Sequence, residues 1–291
     1  VITIGRSQDV HAGIPYAGKT YQSNSIRLHL FESLSEIGDD LMDKPGLAES
    51  WTSNDDGTLW TFKLRKGVKF HNGNAFTADD VVFSCDACLE TKTAWADAMA
   101  TVKSYRKGDD FTVEVTTLPD VIFPKNIRNI LILDKETCAG KGLEFLETTV
   151  VGTGKYKLEQ YIKDDRVVGV RFDGYWGEKP EFDKVIFRNI PNEGTRTASL
   201  MSGEIDAMPF IAVKDAQMLA KQKGLAIVKS DGIEPSLFVM AQVDVDNPSP
   251  GSMIPMISPD GKNPLRKREV REAIVRAINA EEFVEQILAG Y

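Results

Sequence analysis

The chain has 291 residues, of which 42% are hydrophobic and 27% are charged, and its formal net charge is −8. A chain of this length can bury a substantial core and can hold two domains. The negative charge argues against a general binder of nucleic acid or of anionic membranes. No run approaches the roughly 18 apolar residues of a transmembrane helix. We therefore expect a protein that does not span a membrane and has no nucleic-acid partner.

The first predicted elements are a strand at residues 1–5 and a helix that carries Ile26, Leu30 and Leu34. The polar segment between them, residues 6–21, contains Gly and Pro and is typical of a loop. Within it, residues 13–20 match the GxxxxGK[ST] pattern of a phosphate-binding loop. Such a loop must follow a buried strand directly, yet the mostly polar residues 6–12 intervene. Further along, residues 130–134 look like an apolar strand that ends in a magnesium-binding Asp134. Together, the two patterns leave a nucleotide triphosphatase as an alternative function.

Residues 45–83 hold the clearest local signals. Trp60, Phe62 and Leu64 alternate with polar residues, which predicts a half-buried strand, and the turn at residues 54–57 makes residues 47–64 a β-hairpin. Val68 and Phe70 predict a short third strand. Thr77 is the expected N-cap of a helix that begins after it.

The three cysteines are Cys85, Cys88 and Cys138. The first two have CxxC spacing but fall within the predicted helix, without the helix start that a redox thiol needs or the further ligands that zinc needs. We interpret all three as buried packing thiols. A disulfide between Cys138 and one of the pair is the alternative.

The rest of the chain alternates strands and helices. A hairpin is predicted around the turn at residues 107–110, and strands at residues 166–172 and 185–190. A helix at residues 193–202 that stops at Gly203, followed by a strand at residues 205–208, indicates a parallel crossover in an α/β layer. Beyond these we predict a helix at residues 213–223, strands at residues 225–229 and 236–242, a helix over residues 270–278 and a last helix capped by Asn279.

Several of these segments resemble one family. LAESW, DDGTLWTFKLRKGVKFHNG and FTADDVVFS in residues 47–84, VGTGKYKL at residues 151–158 and TRTASLMSGEIDAM at residues 195–208 are similar to family 5 solute-binding proteins. These are the oligopeptide, dipeptide and nickel-type receptors of ABC importers. Lys155 stands where the family has Pro.

The resemblance implies a fold and a domain organisation. The fold is α/β, periplasmic binding protein type II-like and two-lobed, with an inserted α+β subdomain. Residues 1–40 and 150–240 would form the core of lobe I, residues 41–149 the inserted subdomain, and residues 241–291 the hinge and the start of an incomplete lobe II. The last two predicted helices cannot bury their apolar faces alone, so we expect an amino-terminal portion of a longer protein.

The resemblance also implies the function. A substrate-binding protein of an ABC importer captures a peptide or other small solute in an interlobe cleft and delivers it to the membrane permease subunits. It is not an enzyme and needs no cofactor or metal. We expect a periplasmic protein, exported with its signal peptide absent from this chain, and a monomer when full length. A peptide-binding chaperone or signalling receptor on the same fold is a further alternative.

The candidate ligand contacts come from the loop after the first strand, the Gly-rich turn at residues 152–156, the crossing strand and one arginine that could clamp a carboxylate. They are Asp9, His11, Tyr16, Arg128, Thr153, Gly154, Tyr156 and Gln242. A helix-capping surface arginine is the alternative interpretation of Arg128. His71, Asp79 and Asp80 are interpreted as structural.

Overall fold

The computed structural model describes residues 1–7, 21–38, 40–90, 94–142, 145, 149–228, 262–279 and 282. The chain forms two compact units, Val1–Pro209 and Phe210–Tyr291. The strands are β1 (Ile2–Arg6), β2 (Ser35–Ile37), β3 (Asp43–Pro45), β4 (Ala48–Ser53), β5 (Leu59–Leu64), β6 (Val102–Asp109), β7 (Thr112–Thr117), β8 (Tyr156–Ile162), β9 (Arg166–Arg171) and β10 (Lys184–Asn189). The helices are α1 (Tyr21–Leu30), α2 (Ala78–Glu90), α3 (Phe123–Ile127), α4 (Lys135–Cys138), α5 (Glu193–Ser202), α6 (Val213–Leu219) and α7 (Arg268–Ala277).

The core sheet of the first unit has the strand order β1-β10-β9-β8. β1 runs parallel to β10, with Ile4 opposite Phe187, whereas the other two pairs are antiparallel. On its other side β1 makes a parallel bridge from Ile4 to Ala207. The chain therefore passes from β10 through α5 and returns parallel to β1, which is the predicted crossover. The predicted strand at residues 205–208 is reduced to this single bridge.

Helix α5 shows why its predicted bounds were accurate. The side chain of Asn192 accepts a hydrogen bond from the Thr195 N–H, which caps the first turn. Gly203 ends the helix with a φ of 76°, a conformation that glycine adopts without steric cost. Both signals are local in sequence, so the prediction did not depend on the alternation of apolar residues alone.

We expect Asn192→Ala to lower the free energy of unfolding by about 1 kcal/mol, because the cap bond to Thr195 is lost. Urea unfolding followed by circular dichroism measures this difference. Asn192→Ser, which can still cap, should lose only part of it. Equal stability of the alanine variant and the wild type would contradict the capping role.

A second, hairpin sheet has the order β4-β5-β7-β6 and is antiparallel throughout. The β4–β5 hairpin is confirmed: Trp60, Phe62 and Leu64 are buried, and Lys63 between them is exposed. The Phe123 ring lies 6.1 Å from the rings of both Trp60 and Phe62, so α3 covers this face. The predicted third strand is not formed as such, since in this stretch only Lys69 bridges to Ala75 among the described residues.

Helix α2 begins as predicted after Thr77. The carboxylate of Asp80 accepts hydrogen bonds from the backbone N–H and the hydroxyl of Thr77, and from the N–H of Lys135. Asp79 forms ion pairs with Lys107 and Lys135. These contacts agree with the structural interpretation of both carboxylates.

The cysteines are confirmed as buried thiols, and none of the three is in a disulfide. Burial raises the pKa of Cys88 to about 12 and that of Cys138 to about 11. Burial also raises the pKa of Cys85. A thiol that stays protonated is a poor nucleophile and a poor metal ligand, so these side chains serve packing.

The strand that the triphosphatase alternative would need at residues 130–134 is not formed. This segment is buried and pairs with none of the described strands, and the Ile132 N–H donates to the carbonyl of Glu32. Asp134 caps α4 and accepts hydrogen bonds from Asn72 and Asn74. It therefore does not end a strand at a phosphate site.

The second unit contains α6, a 3-10 turn at Pro264–Arg266 and α7. Helix α7 confirms the helix predicted over residues 270–278, and the side chain of Asn279 accepts a hydrogen bond from the Glu282 N–H, as predicted for a cap. Residues 225–228 form no strand. The crossing strand predicted at residues 236–242 lies outside the described residues. Within the part of the chain that the structure describes, no helix has the length and apolarity needed to cross a membrane.

Candidate functional site

The predicted ligand contacts fall into three groups. Asp9, His11, Tyr16 and Gln242 lie outside the described residues, as does the phosphate-loop pattern at residues 13–20. Thr153 and Gly154 lie in the segment before β8, and Tyr156 is the first residue of that strand. Arg128 directly follows α3. The structure thus brings three of the eight candidates together, within residues 151–156.

The segment at residues 151–155, named the glycine turn, packs against the carboxyl end of α1. The Gly154 N–H donates to the carbonyl of Leu30, 3.1 Å away, and so satisfies an acceptor that the helix end would otherwise leave open. A Cβ atom at Gly152 would lie 2.1 Å from the Leu30 oxygen, and one at Gly154 would lie 2.5 Å from the His29 oxygen. Only glycine permits this close approach of two backbones.

His71 also holds the glycine turn through hydrogen bonds. Its Nε2 lies 2.9 Å from the Gly154 oxygen, and its Nδ1 lies 3.3 Å from the Gly152 nitrogen. The backbone N–H of His71 also donates to the carbonyl of Gly152 at 2.9 Å. Burial, with a smaller contribution from the charge of Lys157, lowers the pKa of His71 to about 4. His71 therefore joins the segment between β5 and α2 to the glycine turn as a neutral imidazole.

A buried carboxylate completes the surroundings of the turn. Glu32 is 5% exposed and accepts hydrogen bonds from the Tyr175 hydroxyl at 2.8 Å and from the Trp176 Nε1 at 2.9 Å. Burial raises the pKa of Glu32, although the hydrogen bonds from Trp176 and Tyr175 act in the opposite direction. The guanidinium of Arg65 lies 4.3 Å from the centre of the Trp176 ring. Trp176 thus connects the two sheets, in line with a packing role.

Tyr156 is also engaged inside the protein. It is 5% exposed, and its hydroxyl donates to the carbonyl of Phe182 at 3.0 Å. The ring of His29 packs edge-on against Tyr156 and stacks on Phe187. Burial lowers the pKa of His29, and the charges of Lys155 and Arg6 lower it further. Both rings belong to the packing between α1 and the core sheet.

Arg128 has a partner in another part of the unit. Its Nη1 lies 3.1 Å from the Oδ1 of Asp43 in β3, and both side chains are partly exposed. The Arg128 backbone N–H donates to the last carbonyls of α3, where the residue is the C-cap. The structure therefore places this side chain on an internal carboxylate at a helix end.

Sequence reasoning missed the contacts around Glu32 and His71. Glu32 and Trp176 are separated by 144 residues along the chain, and His71 and Gly154 by 83. Hydrogen-bond partners at such separations leave no local pattern. The one usable signal was the pair of glycines at 152 and 154, which marks a close backbone approach but does not identify the partner.

The fold of the chain matches that of a known class of protein. NikZ from Campylobacter jejuni, solved in complex with Ni(L-His), superposes with a TM-score of 0.82 and 22% identity, over 100% of this chain and 55% of that one. At this identity the likeness shows the fold, which is that of the type II-like periplasmic binding proteins. The predicted fold class is confirmed.

The chain belongs to the bacterial extracellular solute-binding proteins of family 5, whose model "family 5 Middle" matches residues 44–291. The Escherichia coli K12 dipeptide-binding protein is 30% identical over 301 residues, covering 94% of this chain and 52% of the relative. The glutathione-binding protein GsiB of Salmonella choleraesuis is 30% identical over 298 residues, covering 95% and 52%. The chain spans about half the length of the curated relatives it matches.

Proposed function

We propose that this chain is part of the substrate-binding protein of an ABC importer, which captures a peptide or other small solute and delivers it to the membrane permease. The observation that carries the proposal is the family match over residues 44–291. The names of the relatives support a small solute with peptide character, since one binds dipeptides and another glutathione. Binding that shifts the protein between open and closed forms would be the signal to the permease.

In this proposal the protein is a receptor and not an enzyme. Several described polar groups in and beside the glycine turn are hydrogen-bonded within the chain, as seen for Glu32, His71 and Tyr156. Such a network suits a rigid wall beside a ligand, because each side chain is held in one geometry. The triphosphatase alternative has no support among the described residues, since Asp134 caps a helix.

We propose that all eight ligand contacts predicted from the sequence belong to the cleft, and that they have one of two roles there. Asp9, His11, Tyr16 and Gln242 are proposed to touch the ligand directly. The polar groups of Gly154, Tyr156 and Arg128 already have partners within the chain, and Thr153 is fully buried. We therefore propose that these residues shape the cleft. Within the glycine turn, Lys155 is the exposed side chain.

The remaining assignments follow from the receptor role. We propose a periplasmic location, a monomer when full length, and permease subunits as partners. The proposed domains are residues 1–40 and 150–240 for lobe I, 41–149 for the inserted subdomain, and 241–291 for the hinge and the start of lobe II. The separate strand sets of the core sheet and the hairpin sheet support the first two of these divisions.

Solute binding is tested on the full-length protein as its gene encodes it. Native mass spectrometry first identifies any co-purified solute, and mild denaturation and refolding then removes it. Thermal unfolding is followed with dipeptides, a tetrapeptide, reduced glutathione, nickel with histidine, and magnesium-ATP. We expect one peptide-like solute to stabilise the protein, by about 2.7 kcal/mol when present at a hundred times its Kd.

The panel also separates the alternatives. No co-purified solute and no stabilisation by any peptide or glutathione would contradict the peptide-receptor proposal. Stabilisation by magnesium-ATP that disappears in Lys19→Ala would support a triphosphatase instead. A receptor that binds a peptide but restores no uptake, when it replaces the receptor of a peptide importer, would favour a chaperone or signalling role.

A further inference from the structure

The contacts of His71 fix its chemical state. A backbone N–H can only donate, so the Nδ1 that faces the Gly152 N–H must be the acceptor. Nε2 therefore carries the proton and donates to the Gly154 carbonyl. The ring stands nearly perpendicular to Phe172, with 5.1 Å between the ring centres, which fixes its orientation. His71 is thus held as one neutral tautomer.

These bonds determine where the glycine turn can lie. The carbonyl and N–H of Gly152 and the carbonyl of Gly154 are all bonded to His71, and the N–H of Gly154 is bonded to Leu30. The close approach to α1 leaves no room for the turn to move toward the helix. A displacement of His71 would therefore move the turn in the other direction or break its hydrogen bonds.

We propose that His71 is a positioning residue for ligand binding: without touching the ligand, it holds the glycine turn in the shape that the bound solute requires. The inference rests on the proposed function, in which this turn borders the cleft. It also assigns a role in binding to the segment between β5 and α2, because His71 lies there in a turn that the Lys69–Ala75 bridge encloses.

The state of the imidazole makes this positioning sensitive to acid. A second proton on Nδ1 would turn the acceptor opposite the Gly152 N–H into a donor and break that bond. Lys157 on β8 is the charged group that acts on His71, and it favours the neutral ring as burial does. Glu32, two residues after α1, is a titratable group near Thr153 of the turn. Ligand affinity should therefore fall as the pH approaches 4.

Two variants of His71 distinguish the effect of its ring nitrogens on binding from the effect of the shape of its ring. His71→Phe keeps an aromatic ring beside Phe172 but removes both hydrogen-bonding nitrogens. His71→Gln places an amide N–H near the position of Nε2, so it can still donate to Gly154, and it does not titrate. Asn54→Ala is the matched control, because Asn54 makes comparable turn-stabilising bonds to Thr58 and Leu59 at another turn of the hairpin sheet.

Affinities are measured by isothermal titration on the full-length protein, with glycyl-leucine and reduced glutathione as probes. We expect His71→Phe to weaken binding about tenfold or more, as expected for lost hydrogen bonds in a buried site. His71→Gln should stay within about threefold of the wild type near neutral pH, and Asn54→Ala should be unchanged. The wild type should lose affinity toward pH 4 more steeply than His71→Gln.

The possible outcomes distinguish failure of this inference from failure of the proposed function. A folded His71→Phe protein that binds like the wild type overturns the inference and leaves the proposed function intact. If His71→Phe does not fold, a pH profile of His71→Gln identical to that of the wild type overturns it equally. If the wild type binds neither probe, the proposed function fails for peptide-like solutes and the inference fails with it.

Discussion

Replacing Gly152 with alanine is expected to destabilise the protein by about 3 to 5 kcal/mol, because the new methyl group would collide with backbone. The added Cβ would lie 2.1 Å from the backbone oxygen of Leu30 and 2.8 Å from the Phe31 ring. A backbone carbonyl at a helix end cannot move aside as a flexible side chain can. The glycine turn must shift instead, and the bonds from His71 to Gly152 are then lost. Chemical unfolding monitored by tryptophan fluorescence measures the loss.

The matched control is Gly142→Ala. A Cβ atom at Gly142 would meet nothing within 4 Å. That variant should be within about 1 kcal/mol of the wild type, because alanine also restricts the unfolded chain. If Gly152→Ala proved as stable as Gly142→Ala, the close packing of the turn against α1 would be wrong.

The second large effect is a dependence of stability on pH that comes from His71. Its folded pKa of about 4 lies below the ordinary value of 6.5, so between these values the unfolded chain binds more protons than the folded one. Stability from this group is therefore complete above pH 6.5 and is lost as the pH falls toward 4. The shift corresponds to about 3 kcal/mol over that range.

His71→Gln isolates this contribution, since glutamine does not titrate. We expect the difference in unfolding free energy between wild type and variant to change by about 3 kcal/mol between neutral pH and pH 4. Glu32 acts in the opposite sense: its pKa is raised by burial, so its contribution is lost as the pH rises. Because Glu32 is present in both proteins, its contribution cancels in the difference between their unfolding free energies. A constant difference across the range would show that His71 titrates normally.

The elements that could be predicted from the sequence are those whose signals are local. The β4–β5 hairpin follows from alternation around Trp60 and Phe62 and from the turn at Gly57, and α5 follows from its cap and from Gly203. The failures have a common cause. Residues 130–134 and 205–208 are short segments with several apolar residues, and periodicity cannot tell whether such a segment finds a neighbouring strand. The first segment lies buried without one, and the second makes one bridge.

The candidate site was predictable only in part. The glycine pair at 152 and 154 indicated a special turn, and the turn is there. Its neighbours could not be found, because Glu32 and His71 become significant only through partners far along the chain. The contacts of His71 agree with its interpretation as structural. What the sequence could not show is that this residue binds the turn that was predicted to line the cleft.

The pairing of β1 has a consequence for how the protein forms. Among the residues that the structure describes, β1 pairs with β10 and with a bridge at Ala207, and the Thr3 N–H donates to an acceptor 203 residues further along the chain. The hairpin sheet, in contrast, takes all its strands from residues 48–117. During synthesis the hairpin sheet can therefore assemble while β1 is still unpaired, and the core sheet must wait for nearly all of the first unit. We therefore expect the pairing of β1 with β10 to be a late step in the folding of the first unit.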